Sequence, residues 1–347
     1  MAGRGSKTNR RSLAPLEPQL EAPPKDLYAI GEPAAETFSS GCTLLDCALG
    51  GGWGFERVAN VIGDKSTGKT LLAIEACANF HLVEPDGKIE YREAEAAFDI
   101  PYAENLGLPV DAVDFGDDPV FTVEDVFEDI EKMLGRKERT LYVVDSMDAL
   151  SDRAEQGRDM DEGTYGTKSR KVSEWFRRQN HKLAKSRITL IVISQVRDNI
   201  GVQFGAKHKR SGGRALDFYA THALWLAHTG QVKRTRKGVE RVVGVNVLAN
   251  VKKNKIGPPF RKVDFPLMFG YGVEDVRAGL DWLIKVGRTE EVGLSKEDAK
   301  KLVSKVEALD DDRYYEERRN VNEAVRRVWS EIETDFRPRR RKYGGGS

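Results

Sequence analysis

The stretch Arg57-Val-Ala-Asn-Val-Ile62-Gly63-Asp64-Lys65-Ser66-Thr67-Gly68-Lys69-Thr70 decides the fold. Arg57–Ile62 is an apolar run of the length of a buried strand. Gly63 through Thr70 matches G-x-x-x-x-G-K-[ST] in full, and Leu71–Leu82 continues in a helical pattern. Strand, glycine-rich turn and helix, in that order, form the context in which this motif binds phosphate. The glycines let the backbone wrap closely round an anion with its N–H groups pointing inward, and the helix N-terminus adds a favourable field. Gly63, Asp64, Lys65, Ser66, Thr67, Gly68, Lys69 and Thr70 are therefore the expected ATP-binding loop. Lys69 would reach the β- and γ-phosphates, and the Thr70 hydroxyl would ligate Mg²⁺.

Working outward, Thr140–Asp145 and Ile188–Ser194 read as further buried strands. Val123, Val126, Phe127, Ile130, Met133 and Leu134 recur at helical spacing between them. Strands alternating with helices predict an α/β fold with a mostly parallel central sheet covered on both faces. Residues 222–251 and 260–268 follow as strands with no helix between, which predicts antiparallel additions at one edge. Val321, Val325, Val328, Trp329 and Ile332 give an apolar stripe, so 275–335 reads as a small helical C-terminal region. The domain expectation is a Pro-rich, basic, disordered leader (1–40), an ATPase core (41–274), the helical region (275–335) and a basic, Gly-ended tail (336–347).

Leu141-Tyr-Val-Val-Asp145-Ser146 places a carboxylate at a strand's C-terminal end, where open α/β sheets bind ligands. Asp145 is the second expected Mg²⁺ ligand. Glu95 sits just past an expected strand end and can activate an attacking water; Glu93 is its rival. Gln195 ends the run Ile188–Ser194, either as a γ-phosphate sensor or as a plain strand-end amide. Tyr102, beside Asp99 and Pro101, is read as an adenine-stacking ring or as core. Lys252, Lys253 and Lys255 form a positive cluster near a strand end and on their own read as solvated charge.

Bulk properties narrow the class. The 347 residues are 39% hydrophobic and 32% charged, with a net charge of +1. No apolar run approaches the roughly 20 residues of a membrane span, and the basic N-terminus lacks a signal peptide's apolar core, which predicts a cytoplasmic protein. Cys42, Cys47 and Cys77 form no C-x-x-C pair and read as reduced structural thiols; the five histidines show no zinc-ligand spacing. Arg4, Lys7, Arg10 and Arg11 at one end and Arg337-Pro-Arg-Arg-Arg-Lys342 at the other are basic without a folding pattern.

Several motifs fall in order at matching distances: Gly41-Cys-Thr-Leu-Leu-Asp46, the P-loop, Glu93-Ala-Glu95, Val143-Val-Asp145-Ser146, Ser194-Gln195-Val-Arg197, Ile200-Gly-Val-Gln-Phe204-Gly205, Gly212-Gly213 and Val251-Lys-Lys-Asn-Lys255-Ile-Gly-Pro-Pro-Phe260. Together they resemble the bacterial RecA-type recombinases over roughly 40–287. The resemblance implies a DNA-dependent ATPase that forms helical filaments on single-stranded DNA. It implies homologous pairing and strand exchange with double-stranded DNA in recombination and repair. It also implies that Lys69, Thr70, Glu95, Asp145 and Gln195 serve ATP within one subunit, with Asp99 and Tyr102 near the adenine. Lys253 and Lys255 would act catalytically on the neighbouring subunit's ATP.

DNA-binding loops are implied at about 151–166 and 196–213. Carried over singly, contacts fall on Arg170, Ser173, Arg177, Arg197, Ile200, Gly212 and Gly213. Arginines suit phosphates, glycine N–H groups suit close backbone approach, and an apolar wedge suits entry between bases. Lys207, His208, Lys209, Arg210 and Arg214 make the second loop strongly basic. The sequence also departs from the family. The family has an N-terminal helix and strand that dock on the next subunit, whereas residues 1–40 show no such clear helix, and the first loop carries Asp152, Glu155, Asp159, Asp161 and Glu162. Tyr165 stands at a wedge position where the family carries Met, and the C-terminus is basic where the family's is acidic; such divergence suits a phage-encoded member. An accessory ATPase that loads or regulates another recombinase, or a hexameric helicase motor, are the alternative readings.

Overall fold

The computed structural model describes residues 35–117, 120–156, 166–198, 208–210 and 215–338. In chain order the strands are β1 (Thr37–Phe38), β2 (Trp53–Gly54), β3 (Val58–Gly63), β4 (Lys88–Glu93), β5 (Val113–Asp114), β6 (Thr140–Asp145), β7 (Ile188–Asp198), β8 (His208–Arg210), β9 (His222–Arg236), β10 (Val239–Asn254), β11 (Arg261–Met268) and β12 (Gly272–Val273). The helices are α1 (Thr43–Leu49), α2 (Lys69–Val83), α3 (Ile100–Asn105), α4 (Val123–Met133), α5 (Arg153–Gln156), α6 (Thr167–Leu183), α7 (Ala215–Tyr219), α8 (Asp275–Val286), α9 (Lys296–Val303) and α10 (Asp311–Asp335).

The main sheet runs β12-β11-β10-β9-β3-β7-β6-β4-β5, with β8 paired to β7. From β5 to β9 neighbours along this path are parallel, and β9 through β12 add antiparallel strands at one edge. This is the predicted α/β architecture. The parallel strands bury both faces because successive side chains point opposite ways. On β6, Leu141 and Val143 join the core under α1, α2, α8 and α10, while Tyr142 and Val144 join the core under α4, α6 and α7. On β7, Ile191 and Ile193 face the first and Leu190 and Val192 the second. Each such aliphatic side chain contributes on the order of 1.5–3 kcal/mol, so an Asp at one of these positions would unseat a layer.

Local chemistry sets the helix ends. Thr122 and Asp125 close a reciprocal capping box on α4, Ser295 caps α9 and Asp310 caps α10. The C-terminal helices share the first core: Leu280 and Leu283 of α8 pack with Val321, Val325 and Val328 of α10.

Two sequence expectations are corrected. Residues 35–40, placed in the disordered leader, are part of the fold. Phe38 is buried against Phe55 and Phe80, and β1 pairs with β2; residues 1–34 of the leader lie outside the described residues. A two-residue strand carries too little periodicity to be seen in sequence. Likewise, the third strand does not end at Ser194. β7 continues to Asp198 and pairs antiparallel with β8, so Val196–Asp198 and His208–Arg210 of the second expected DNA loop form a hairpin.

Candidate functional site

β3 ends at Gly63, and the chain then turns through Asp64–Thr67 into the N-terminus of α2. Two glycines make the turn. A Cβ on Gly63 would lie 2.5 Å from Thr67 Oγ1, and Gly68, at φ 82°, would place one 2.4 Å from Leu267. Lys69 Nζ donates to the Asp64 carbonyl at 2.7 Å, and Thr67 Oγ1 donates to the same carbonyl at 2.9 Å. The loop is thus held as an open cradle by its own lysine.

A cavity of about 520 Å³ opens above it. Lys65–Leu71 form its floor, and Glu95, Asp145, Ser146 and Gln195 line it from the carboxyl ends of the strands. Asp99 lines it too, while capping α3 through the Tyr102 N–H at 2.9 Å. Asp145 is 2% exposed and accepts the Tyr91 hydroxyl at 2.9 Å. Burial raises its pKa, hydrogen bonds from Thr70 and Tyr91 oppose the rise, and the charges of Glu95 and Glu93 add to it. A buried carboxylate crowded by like charge calls for a cation, and hard oxygens from Asp145 and Thr70 suit Mg²⁺. Burial lowers the Lys69 pKa, against the pull of Asp145, Glu95, Asp64 and Asp148. Glycine cradle, lysine and oxygen donors therefore fit Mg·ATP.

The two rival glutamates are separated by geometry. Glu93 turns away to accept the Ala97 and Phe98 N–H groups, the latter at 2.7 Å. Glu95 Oε1 faces the cavity, where it accepts the Ser146 hydroxyl and, at 2.7 Å, the Gln195 amide. The Gln195 N–H donates to Asp148 Oδ2 at 2.6 Å. Ser146 and Asp148 were not singled out in sequence, although both lie within three residues of Asp145 in the strand-end turn.

Of the two readings of Tyr102, adenine-stacking ring or core, the structure shows the core one. Its ring is 1% exposed and absent from the cavity wall, so it offers no stacking face to a base. Its hydroxyl donates to Glu75 Oε2 at 3.3 Å, beneath Gly272, whose missing side chain leaves room. The aromatic wall is Phe269, 55% exposed, which lines the cavity with Val245 and Leu267. No local signal marks Phe269, because the β11–β12 turn is brought in from far along the chain.

Lys253 and Lys255 do not line this cavity. β9 pairs Ala223 with Asn60 and also with Lys253, which puts these lysines level with the start of β3, away from its P-loop end. Lys253 Nζ donates to the Asp217 and Phe218 carbonyls at 2.5 and 2.7 Å, and Lys255 Nζ to the Tyr219 carbonyl at 3.4 Å. Both reach the C-terminal end of α7, Lys253 by two short bonds and the exposed Lys255 by one long one.

α6 follows the first expected DNA loop. Arg170 and Arg177 are exposed on it with Ser173 between, its Oγ donating to the Ser169 carbonyl at 2.8 Å. The three residues share one face of the helix; the opposite face buries Val172, Trp175 and Phe176, and Trp175 stacks on Phe127 with centroids 4.3 Å apart. Asp152, among that loop's acids, is buried and accepts the Thr167 hydroxyl at the start of α6. Residues 157–165 lie outside the described residues, as do Ile200, Lys207, Gly212 and Gly213. Arg197, Lys209 and Arg210 fall on the β7–β8 hairpin backbone.

The family model for the RecA N-terminal domain matches residues 27–274. The chain belongs to the RecA family. RecA proteins similar to it include that of Lactobacillus delbrueckii subsp. bulgaricus, 32% identical over 80% of this chain and 85% of the relative. That of Colwellia psychrerythraea is 35% identical over 74% and 73%, and that of Caulobacter vibrioides 34% over 76% and 72%. The RecA match covers the P-loop, β6, β7 and the lysine pair, and ends where α8 begins. Among the described residues no helix is long and apolar enough to cross a membrane.

Proposed function

We propose that this RecA-family chain is a DNA-dependent ATPase that assembles as a filament on single-stranded DNA. There it promotes homologous pairing and strand exchange with duplex DNA. The observation that carries this reading is the Gln195–Glu95 hydrogen bond of 2.7 Å. Gln195 belongs to β7, and β7 runs on without a break into the hairpin of the second loop. The proton-accepting group and the DNA-facing segment are thus one hydrogen bond apart.

In this reading the N–H groups of the P-loop and Lys69 hold the phosphates, and Thr70 and Asp145 hold Mg²⁺. Bound Mg²⁺ supplies positive charge against the phosphate oxygens. Glu95 accepts the proton of a water in the cavity. Gln195 reports phosphate occupancy along β7, and differential affinity of the loops for DNA in the two nucleotide states does the switching. Phe269 gives the base its stacking surface. Lys253 and Lys255, facing away from their own cavity, serve the next subunit's. Arg170, Ser173 and Arg177 with the hairpin face the strand.

The test compares Gln195→Asn with the parent protein in steady-state hydrolysis, with and without single-stranded DNA. The shortened side chain should retain ATP binding and lose most of the DNA stimulation. Undiminished stimulation would break the proposed link. Negative-stain microscopy with an ATP analogue separates filaments from the rings of a helicase motor. Unaided strand exchange separates a recombinase from an accessory ATPase.

A further inference from the structure

Tyr91 is fully buried on β4, with its ring in the first core. The ring meets Phe98 edge-on with centroids 4.9 Å apart, and Phe115 lies at 6.1 Å. A phenylalanine would pack there equally well, so the hydroxyl is the part that calls for a reason. A hydroxyl taken out of water costs free energy unless it is hydrogen-bonded. Among the described residues its hydrogen bond is the 2.9 Å donation to Asp145 Oδ2.

The sheet sets up this contact. β4 and β6 run parallel, with Tyr91 beside Val143 and Glu93 beside Asp145. Val143 and Asp145 are two apart on their strand and share a face. Val143 and Tyr91 belong to the same core, so the phenol stands on the side of the sheet where Asp145 points. The length of the tyrosine then carries its hydroxyl up to the carboxylate.

The two oxygens of Asp145 are thereby made unequal, because Oδ2 already accepts a buried donor. That difference bears on which cation fits. Mg²⁺ demands near-ideal octahedral geometry, which the narrow bite of a two-oxygen carboxylate spoils, whereas Ca²⁺ gathers roughly six to eight oxygens and accepts carboxylates through one oxygen or both. A cation that takes both oxygens of Asp145 must share Oδ2 with the Tyr91 proton or turn the carboxylate away from it. Turning is resisted on both sides. Asp145 is 2% exposed at the end of a central strand, and the Tyr91 ring is held by Phe98 and Phe115.

We propose that Tyr91 is a positioning residue that sets metal choice at the nucleotide site: by holding Asp145 Oδ2 it leaves one oxygen to the ion and favours Mg²⁺ over Ca²⁺. The inference rests on the reading in which Thr70 and Asp145 hold the metal. Tyr91 touches neither nucleotide nor ion and acts through Asp145.

The test compares Tyr91→Phe with the parent chain. ADP affinity is measured calorimetrically in excess Mg²⁺ and in excess Ca²⁺, with no DNA and no turnover. The parent should bind Mg·ADP more tightly than Ca·ADP. Without the hydroxyl the carboxylate can offer both oxygens, and the preference should fall by about tenfold, the worth of one hydrogen bond to a charged group. A change in the proton affinity of Asp145 moves both metals alike, so their ratio reads geometry. Tyr142→Phe is the control. It removes a buried hydroxyl on the other face of β6, one that donates to Asp129 at 2.9 Å, and should leave the ratio unchanged. An unchanged ratio in Tyr91→Phe, with Mg·ADP still bound, overturns this inference alone. An equal fall in Tyr142→Phe overturns it too, by tracing the effect to packing. A parent that binds neither metal complex overturns it together with the nucleotide-site reading.

Discussion

Glu75 provides a measurable test of the packing beneath the nucleotide cavity. It lies on α2, just beyond the P-loop, and is 6% exposed. Its Oε2 accepts the Tyr102 hydroxyl and the Val273 N–H, both at 3.3 Å. Burial raises its pKa from 4.5 to about 8; the Val273 and Tyr102 bonds and Arg318 oppose the rise, and Asp275 adds to it. Between those two values the folded chain holds a proton that the unfolded chain has released, so stability falls as pH rises through the window. The loss runs at about 1.4 kcal/mol per pH unit, an upper bound of about 5 kcal/mol across the window. Glu75→Gln keeps the shape and an acceptor oxygen and removes the ionisation. At the acid end the variant and parent should melt together. At the alkaline end the variant should be the more stable, by several degrees if 1 kcal/mol is worth roughly 2 °C in a chain of this size. Differential scanning calorimetry of both proteins at the two ends measures the difference directly, and other titrating groups cancel. A melting difference that stays constant with pH would show that Glu75 is ionised throughout and that the burial argument is wrong.

Three further outcomes are expected. Glu95→Gln should bind ATP normally and hydrolyse it at least a hundredfold more slowly, whereas Glu93→Gln should mainly loosen the Ala97–Phe98 turn; single-turnover kinetics showing the reverse would exchange their roles. Lys253→Ala with Lys255→Ala should leave ATP affinity of the isolated subunit intact and abolish ATP-dependent assembly in light scattering, while unchanged assembly and turnover would reduce the pair to supports for α7. Replacing Lys207, Lys209 and Arg210 with Ala should shallow the salt slope for single-stranded DNA by roughly 2, at about 0.7 per contact, and removing residues 337–347 should lower only the nucleotide-independent background; the opposite pattern would move the DNA site to the tail.

What could be read in the sequence was what is local. The P-loop is contiguous, and the strand ending in Asp145 announces itself by four apolar residues and a carboxylate. The antiparallel edge was legible because β9, β10 and β11 follow one another without a helix. Glu95 kept Glu93 as a rival because both are carboxylates at or just past one strand end; the difference lies in the turn at Ala97–Phe98, which takes Glu93. Tyr102 stayed open between base stacking and core because its burial depends on Glu75 and on Gly272, which the chain brings in from a distant turn. Phe269 was missed for the same reason. β1 holds on by Phe38 and by the Arg139–Glu36 ion pair, neither of which has a periodic signature.

The placement of Lys253 and Lys255 away from their own P-loop has an arithmetic consequence for assembly. If these lysines complete the next subunit's site, a chain of subunits always has one fewer finished site than it has members. A lone subunit has none, a pair has one, and only a long array approaches full equipment. Turnover per subunit would then rise with length and level off, and the two tips would be unequal, one offering lysines without a substrate and the other a substrate without lysines. Growth and loss at the tips would inherit that asymmetry, giving the polymer a direction in time as well as in space.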